Sequence, residues 1–211
     1  MMLMVAAMTA ATLTSGCGFF KWISYVTFPW QPGKTVRAEF EGLPGHSVAV
    51  VVYADENTQY QYPLVQLNLS ALIGAELRTN VNGVTVTEPQ KVVSYQKQNV
   101  HWDEMDRTAL GKALGAEYLL SVALIEFATV EEGYLDLLRG RITGQARLYR
   151  TNLPEQQACV WRGKDIRVSF PKTPTARAGS NEGTIRLKVM RMFARRLGQK
   201  FYKHKKEEAE D

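Results

Sequence analysis

Residues 47–56, SVAVVVYADE, form a nearly continuous run of small and β-branched apolar side chains that ends in two acidic ones. A run without polar alternation is typical of a strand that is buried on both faces of a sheet. The stretch therefore predicts a central strand, and we expect a helix to follow it closely.

The next two segments predict that helix and a second strand. Residues 63–78, PLVQLNLSALIGAELR, carry apolar side chains on more than one face, and Pro63 suits the first position of a helix. Residues 83–89, GVTVTEP, predict a short strand that Pro89 ends. The order along the chain is then strand, helix, strand.

Residues 101–127, HWDEMDRTALGKALGAEYLLSVALIEF, predict a further helix and a second buried strand. Asp103 is expected to cap the helix, and Gly115 to end it in the left-handed conformation. Residues 118–127 are apolar on both faces, which predicts the strand. The apolar stripe of the helix consists of Met105, Ala109, Leu110, Ala113 and Leu114.

The following segment alternates between apolar and polar side chains. In residues 139–150, RGRITGQARLYR, small and aliphatic residues occupy the even positions up to Leu148, and the odd positions are mainly polar. This alternation indicates a half-exposed antiparallel strand. The sequence EEG at residues 131–133 supplies a turn, so residues 118–150 predict a long hairpin.

The end of the domain shows a change of phase and then a loop. The apolar positions shift within residues 159–171, CVWRGKDIRVSFP, and Gly163 lies where a bulge or bend would re-aim the side chains. Residues 171–183, PKTPTARAGSNEG, predict a loop, with Ser180 or Asn181 as the cap of a final helix.

That final helix lies in residues 184–211 and is amphipathic. A basic amphipathic helix can bind nucleic acid or a membrane, but a core-facing helix with a solvated cationic face is the commoner arrangement. The acidic end of the chain, EEAED, also weakens binding to any polyanion. The predicted apolar face is Ile185, Val189, Met192, Phe193 and Leu197, and the cationic residues are Arg186, Lys188, Arg191, Arg195, Arg196 and Lys200.

The composition suits one folded domain with extensions, since the chain has 211 residues, of which 45% are hydrophobic and 22% charged. The formal charge of +5 permits an anionic partner but selects none. Together, the composition and the segments predict an α/β fold, with α+β as the alternative. We expect a single mixed sheet with helices packed on it, a long antiparallel hairpin and a C-terminal helix.

Residues 1–16, MMLMVAAMTAATLTSG, are uncharged and end on small residues directly before Cys17. They are shorter than the ~20 residues of a membrane-spanning helix and match the apolar region of a cleaved signal peptide. The stretch resembles the lipobox of bacterial lipoproteins, in which the cysteine receives diacylglycerol and becomes the first residue after cleavage. It departs from that pattern in two ways: Thr14 stands where the lipobox usually has Leu, and no cation precedes Lys21.

Two other interpretations of Cys17 stay open. One is an uncleaved signal anchor that continues through residues 19–30, and the other is a structural cysteine that could pair with Cys159, the only other cysteine. If Cys17 carries lipid, Cys159 is expected to be a lone buried thiol on a strand. The lipoprotein resemblance implies several acyl chains, such as palmitate, that anchor the protein stably. By the same resemblance, Gly18 after the cysteine implies the outer membrane.

Aromatic side chains crowd residues 19–30, FFKWISYVTFPW, where a lipoprotein tether is normally polar. Aromatic rings favour protein contacts or the membrane interface. We interpret the segment as an interface with the protein's own body or a neighbouring subunit, with contact to lipid as the alternative. The candidate interface residues are Phe19, Phe20, Trp22, Tyr25 and Trp30.

No motif in the sequence predicts catalysis, a metal or a cofactor. PGKT at residues 32–35 is not a phosphate-binding loop, because Phe28 stands where that loop needs glycine. His46, His101 and His204 lack the spacing of a metal site.

Two groups of polar residues could still suggest chemistry. Asp103, Glu104 and Asp106 form the first group, which fits a capped helix start. Asp55, Glu56 and Asn57 form the second group. They follow the first strand, at the usual ligand position of an α/β sheet, although a plain polar loop is the commoner explanation.

The order of elements, together with LGKALGAEYLLSVALIEF at residues 110–127, resembles a group of bacterial envelope domains over roughly residues 45–200. The group includes the curli-secretion lipoprotein, the N-terminal domain of the Tol-system propeller protein and lipoproteins that activate penicillin-binding proteins. The resemblance implies a non-enzymatic component of assembly, docking or secretion that needs no cofactor. Fold similarity alone does not supply a function.

We therefore predict an exported lipoprotein that is anchored through Cys17 to the outer membrane and faces the periplasm. Its expected partner is another envelope protein or further copies of itself, and not nucleic acid. One alternative is an envelope hydrolase that acts on cell-wall material with Asp55 and Glu56. The other is a cytosolic nucleic-acid binder that uses the basic C-terminal helix. The predicted regions are a signal peptide (1–16), a lipidated, aromatic-rich tether (17–44), an α/β domain (45–202) and a charged tail (203–211).

Overall fold

The computed structural model describes residues 35–206. The chain divides into two units, Arg37–His204 and a unit made of the chain ends, Met1–Val36 and Lys205–Asp211. Strand β1 (Thr35–Val36) forms a separate two-stranded sheet with the last strand of the chain.

The larger unit contains all the elements between β1 and the last strand of the chain. Within residues 35–206, no helix combines the length and the apolar composition needed to cross a bilayer. In chain order the elements are β2 (Ser47–Tyr53), α1 (Glu56–Gln61), α2 (Val65–Asn80), β3 (Thr85–Val86), α3 (Pro89–Gln98), α4 (Arg107–Ala113), β4 (Tyr118–Val130), β5 (Leu137–Arg150), α5 (Glu155–Ala158), β6 (Cys159–Arg162), β7 (Ile166–Ala176), α6 (Glu182–Gly198) and the last strand, β8 (His204–Lys205).

One mixed sheet organises the larger unit, as the sequence predicts. Its strands follow the order β3, β2, β4, β5, β6, and β7 also pairs with β5. Strand β2 is parallel to β3 and β4, whereas β5 runs antiparallel to β4, β6 and β7. Strands β4 and β5 form the predicted long hairpin. The expected α/β class is therefore confirmed.

The two faces of the sheet are covered to different extents. On one face, Ile73 of α2 and Phe193 of α6 share a core with Val50 of β2 and Ile142 of β5. On the other face, α3 and α4 pack against β2, the first half of β4 and the end of β5, where Leu119 is fully buried and Tyr149 is half-buried. Part of this second face is therefore left without a helix from residues 35–206.

Helix α6 packs closely on β5 because two positions of the strand lack a side chain. A Cβ at Gly144 would lie 2.8 Å from Phe193 Cζ, and a Cβ at Gly140 would lie 2.8 Å from Val189 Cγ1. Such distances leave no room for a methyl group. The predicted alternation of β5 is confirmed, since its even positions from 138 to 148 are buried.

Helix α3 is the longest of the elements that the sequence pattern misses. Pro89, predicted to end a strand, also begins this helix, where a residue without an N–H loses no hydrogen bond. Of the side chains that follow, only Val92 and Gln96 are buried. Two buried positions make a stripe too narrow to predict a helix.

Helix α4 begins later than the sequence predicts. Its cap is Asp106 and not Asp103, because Asp106 accepts hydrogen bonds from Thr108 N at 2.9 Å and Thr108 Oγ1 at 2.6 Å. These bonds, the hydroxyl one above all, hold the pKa of Asp106 below its ordinary value. Met105 therefore precedes the helix. Gly115 ends it with φ of +74°, as predicted.

Strand β7 extends into the stretch that the sequence assigns to a loop. The ladder with β5 skips from Phe170 to Thr175, so Pro171 and Pro174 occupy an irregular part where no ladder hydrogen bond is needed. The predicted loop is consequently shorter and begins after Ala176.

Three further expectations concern the C-terminal part of the sheet. The phase change at Gly163 separates two strands, β6 and β7, which pair with successive parts of β5. Cys159 is a free thiol at the start of β6 and is half-buried, so the prediction of a buried thiol is wrong. Asn181 is the cap of α6, since its Oδ1 accepts from Thr184 N at 3.2 Å.

Candidate interaction surface

The uncovered part of the second sheet face is the candidate functional surface of this molecule. Helices α3 and α4 end their coverage halfway along β4, so side chains of β7, the second half of β4 and the part of β5 before Tyr149 that point to this side meet solvent. We name this surface the open face. Its members are Tyr53, Ala123, Ile125, Glu126, Arg141, Thr143, Gln145, Arg147, Arg162, Arg167 and Ser169.

One side of the open face is apolar. Tyr53 at the end of β2 stands beside Ala123 of β4 in the ladder. Its ring lies 6.2 Å from the ring of Trp102, measured between centroids. Ile125, two residues after Ala123 in β4, is 56% exposed, and Tyr53 is 40% exposed. Neighbouring exposed aromatic and aliphatic groups on rigid strands are typical of contact surfaces.

The middle of the open face is held by ion pairs. Arg141 Nε donates to Glu126 Oε1 at 2.7 Å, and Thr143 Oγ1 donates to Glu126 Oε2 at 3.2 Å. The hydrogen bond to Glu126 raises the pKa of Arg141, while partial burial opposes that rise. These bonds fix the orientation of three side chains on the surface.

The far end of the hairpin contains polar atoms without a hydrogen-bond partner. Glu131 Oε2 lies 3.3 Å from Arg141 Nη1 and 3.8 Å from Arg139 Nη1, so these groups attract one another as ions. Neither contact has hydrogen-bond geometry, and Arg139 Nε also lacks an acceptor among the described residues. Buried polar atoms usually find partners, which makes this end less firmly paired than the middle.

The edge of the open face carries an excess of positive charge. Arg147 of β5 and Arg162 of β6 stand directly opposite each other in the ladder. Both are exposed, and no carboxylate within residues 35–206 pairs with either. Like charges in this position repel each other. An acidic group on a partner would relieve that repulsion.

The hairpin that carries the open face is fastened from behind. Thr129 near the end of β4 is fully buried and donates from its hydroxyl to Glu182 Oε1 at 2.6 Å. The Tyr62 hydroxyl lies 2.8 Å from the same oxygen of Thr129. These contacts tie β4 to the start of α6 and to the segment before α2. The surface is thus built on a strand that is held in place.

The sequence-predicted anchor and aromatic interface lie outside the described residues, so both stay predictions. They comprise Cys17, Phe19, Phe20, Trp22, Tyr25 and Trp30.

The polar residues after β2 are used in local structure. Asp55 caps α1 by accepting from Thr58 N at 2.9 Å and from Thr58 Oγ1 at 2.7 Å. The hydroxyl bond and the backbone bond lower the pKa of Asp55. Glu56 begins the helix, and Asn57 accepts from Gln61. A carboxylate with a lowered pKa is poorly suited to donate a proton near neutral pH.

The structure also brings together three residues that the sequence treats as separate. Glu117 Oε2 accepts from Ser47 N at 2.9 Å and lies 3.2 Å from His46 Nδ1. The Ser47 bond and then the His46 bond lower the pKa of Glu117. The register of β2 against β4 could have revealed this group, since Val48 pairs with Tyr118.

This group does not have the arrangement of a nucleophilic triad. Ser47 Oγ accepts from Glu117 N at 3.0 Å and lies 3.4 Å from the Glu117 carboxylate, with no bond to His46. In a triad the histidine stands between the nucleophile and the acid. Within residues 35–206, no cluster of three His, Cys, Asp or Glu residues could hold a metal ion.

The fold and the open face describe a mixed α/β domain with one exposed sheet surface. No protein-family model matches the chain, and no curated protein matches it. The PelC dodecamer from Paraburkholderia phytofirmans is similar in structure, with 10% identity and a TM-score of 0.41, over 80% of this chain and 96% of that chain.

Two further solved structures are bacterial lipoproteins. Lipoprotein GNA1162 from Neisseria meningitidis is 18% identical, with a TM-score of 0.40 over 68% of this chain and 91% of that chain. A minor lipoprotein from Acinetobacter baumannii is 10% identical, with a TM-score of 0.39 over 75% of this chain and 92% of that chain. Bacterial lipoproteins are thus among the structures that this chain is similar to, as the sequence resemblance predicts.

Proposed function

We propose that this protein is an exported lipoprotein, anchored through Cys17 in the cell envelope and facing the periplasm, that acts as a non-enzymatic docking component of an envelope complex. The apolar, uncharged stretch at residues 1–16 and its small residues before Cys17 support export and anchoring. Gly18 after the cysteine supports the outer membrane as the destination.

The open face is the observation that carries the docking role. Tyr53 and Ile125 offer exposed apolar surface beside the oriented side chain of Arg141. Aromatic residues and arginine are enriched at the centres of protein interfaces. Because these groups stand on paired strands, binding does not have to order a flexible loop, which lowers its entropic cost. The proposed partner is an envelope protein that covers this surface.

The anchor is tested by metabolic labelling with a palmitate analogue. The wild-type chain is expected to take up label, and Cys17→Ala to take up none, because the thiol is the proposed acceptor. Cys159→Ala is the matched control and should be labelled like the wild type. Unchanged labelling of Cys17→Ala would reject the anchor.

Docking is tested by placing a photo-crosslinking residue at Ile125 in cells. We expect a cross-linked species of higher mass that disappears when Tyr53→Ala and Arg141→Gln are added. The same probe at Arg191, an exposed position of α6 on the opposite side of the sheet, is the control and should give no such species.

The identity of the cross-linked product separates the two forms of docking. A different envelope protein supports a mixed complex, and a second copy of this chain supports a homo-oligomer. Equal cross-linking from the two probe positions, or none from Ile125, would contradict docking through the open face.

A further inference from the structure

A cleft at the edge of the sheet contains several cationic side chains and shares one residue, Arg167, with the open face. It has a volume of about 690 Å³ and lies between the β6–β7 connection, the start of β7 and the end of α6. The cations that line it are Lys164, Arg167, Arg196 and Lys200, and the one carboxylate among its lining residues is Asp165.

The charges of the cleft are only partly balanced by the protein. Arg167 Nη2 lies 3.4 Å from Asp165 Oδ2, and Lys200 Nζ lies 2.8 Å from Glu39 Oε1. Lys164 has no partner carboxylate within residues 35–206. Four cations against two carboxylates leave two positive charges in excess.

Arg196 holds the two sides of the cleft together. Its Nη1 donates to the backbone oxygen of Arg167 at 2.6 Å, which uses one of the five N–H groups of the guanidinium. The remaining donors have no acceptor among the described residues. Arg196 is thus fixed in place with donors left over, which is the arrangement that a bound anion requires.

The helix dipole explains only part of this arrangement. Cations are favourable in the last turn of a helix, which accounts for Arg196 at the end of α6. Lys164 and Arg167 are not on that helix, and they approach the same cleft from the strand side. Arg167 is paired with Asp165, so a structural role for α6 leaves Lys164 as the cation without an explanation.

We infer that the cleft binds a phosphate group that is part of a larger molecule. A phosphate carries close to two negative charges at neutral pH and three acceptor oxygens, which match the excess charge and the free donors. The cleft is larger than a phosphate ion, so it also accommodates an attached headgroup or sugar. This site does not depend on the lipid anchor, and it shares only Arg167 with the open face.

The test uses the full chain in a neutral detergent, titrated with inorganic pyrophosphate in a calorimeter. We expect saturable binding that is at least about tenfold weaker in Lys164→Gln and in Arg196→Gln, because each loses a charge-assisted contact. Lys164 makes no described contact, so Lys164→Gln should fold like the wild type even if Arg196→Gln does not.

Arg191→Gln is the matched control, since it removes one positive charge from an exposed position of α6 that does not line the cleft. It should bind pyrophosphate like the wild type. Absence of saturable binding, or equal weakening in Lys164→Gln and Arg191→Gln, would overturn the inference.

Competition distinguishes the two sources of a phosphate-bearing ligand. Displacement of pyrophosphate by short-chain phosphatidylglycerol assigns a lipid headgroup, and displacement by glucose 1-phosphate assigns a soluble phosphorylated compound. If neither compound displaces pyrophosphate, the cleft does not accept a phosphate with an attached group and the inference fails.

Discussion

The two halves of the sheet differ in the number of faces that helices cover. Strand β2, the first half of β4 and the end of β5 have helices on both sides, whereas the rest of β5, β7 and the second half of β4 have helices on one side only. Strand β4 belongs to both halves. Leu119 and Ile125 point to the same side of this strand, yet Leu119 is 0% exposed and Ile125 is 56% exposed.

This difference teaches that the fate of an apolar residue on β4 depends on whether a helix covers it. Helix α4 spans only Arg107–Ala113, so its short length limits the covered area. Burial stabilises the fold at Leu119, while exposure leaves Ile125 available for a partner.

The largest expected effect is that of Leu119→Ala. Leu119 of β4 is fully buried against the helices α3 and α4, so its truncation should leave a cavity. The free energy of unfolding is expected to fall by about 2–5 kcal/mol. Denaturant unfolding followed by circular dichroism measures it. A loss below about 0.5 kcal/mol, the range of surface substitutions, would erase the contrast between the two halves.

Gly144→Ala tests how closely α6 packs on the half of the sheet that has helices on one side only. The added methyl group would lie 2.8 Å from Phe193 Cζ and 3.1 Å from Ala123 O, so α6 must shift outward. We expect a loss of about 1–3 kcal/mol in the free energy of unfolding. Gln145→Ala, at the neighbouring exposed position, should change it by less than about 0.5 kcal/mol. Equal losses would mean that α6 is not closely packed on β5.

Asp106→Ala tests helix α4, which covers the second face of the half of the sheet around β2. Loss of the cap of α4 is expected to cost about 0.5–2 kcal/mol at neutral pH. Asp103→Ala should cost almost nothing, because Asp103 does not cap the helix. A larger loss in Asp103→Ala than in Asp106→Ala would contradict the assigned cap.

The same variant has a defined dependence on pH. The folded pKa of Asp106 lies below the ordinary value of 3.8, so its carboxylate stabilises the fold fully above that value. This contribution disappears as the pH falls through the folded pKa. The stability difference between wild type and Asp106→Ala should therefore be constant near neutrality and shrink below about pH 4. A difference that grows with acidity would have the wrong sign.

The smallest effect on stability is expected for Ile125→Ala. Because the side chain is mostly exposed, the free energy of unfolding should change by less than about 0.5 kcal/mol. Recovery of the proposed partner in pull-down should fall nonetheless. Leu187→Ala, at an exposed apolar position of α6, is the control and should affect neither quantity. A stability loss as large as that of Leu119→Ala would show that the open face is part of the core.

Much of the sheet could be predicted because its strands have distinct local patterns. The β-branched run at Ser47–Tyr53 identifies a buried strand, and the alternation in Leu137–Arg150 identifies a half-exposed one. Helix boundaries were harder to predict. Three carboxylates precede α4, and only the hydroxyl and amide of Thr108 decide that Asp106 is the cap.

The open face could be predicted only in part. The alternation in β5 predicts that Arg141 and Arg147 lie on the solvent-facing side of the strand, and this placement is confirmed. The neighbours that complete the surface depend on register between distant strands, such as Tyr53 beside Ala123. Register across a crossover leaves no local signal in the sequence. The same applies to Glu117, which reaches Ser47 only because β2 and β4 are aligned.

The outer edges of the sheet have a consequence for how copies of this protein can meet. One edge consists of β3, which has two residues, and of the rest of β2, whose carbonyl oxygens at Val50 and Val52 accept from side chains of α2 and α3. The other edge is divided between β6 and β7, with Pro171 and Pro174 in an irregular part of β7. Long rows of free backbone N–H and C=O groups act as templates on which foreign strands add and aggregate. Short, interrupted edges offer no such template. Neighbouring molecules can therefore be crowded together and touch through their side chains without their sheets joining.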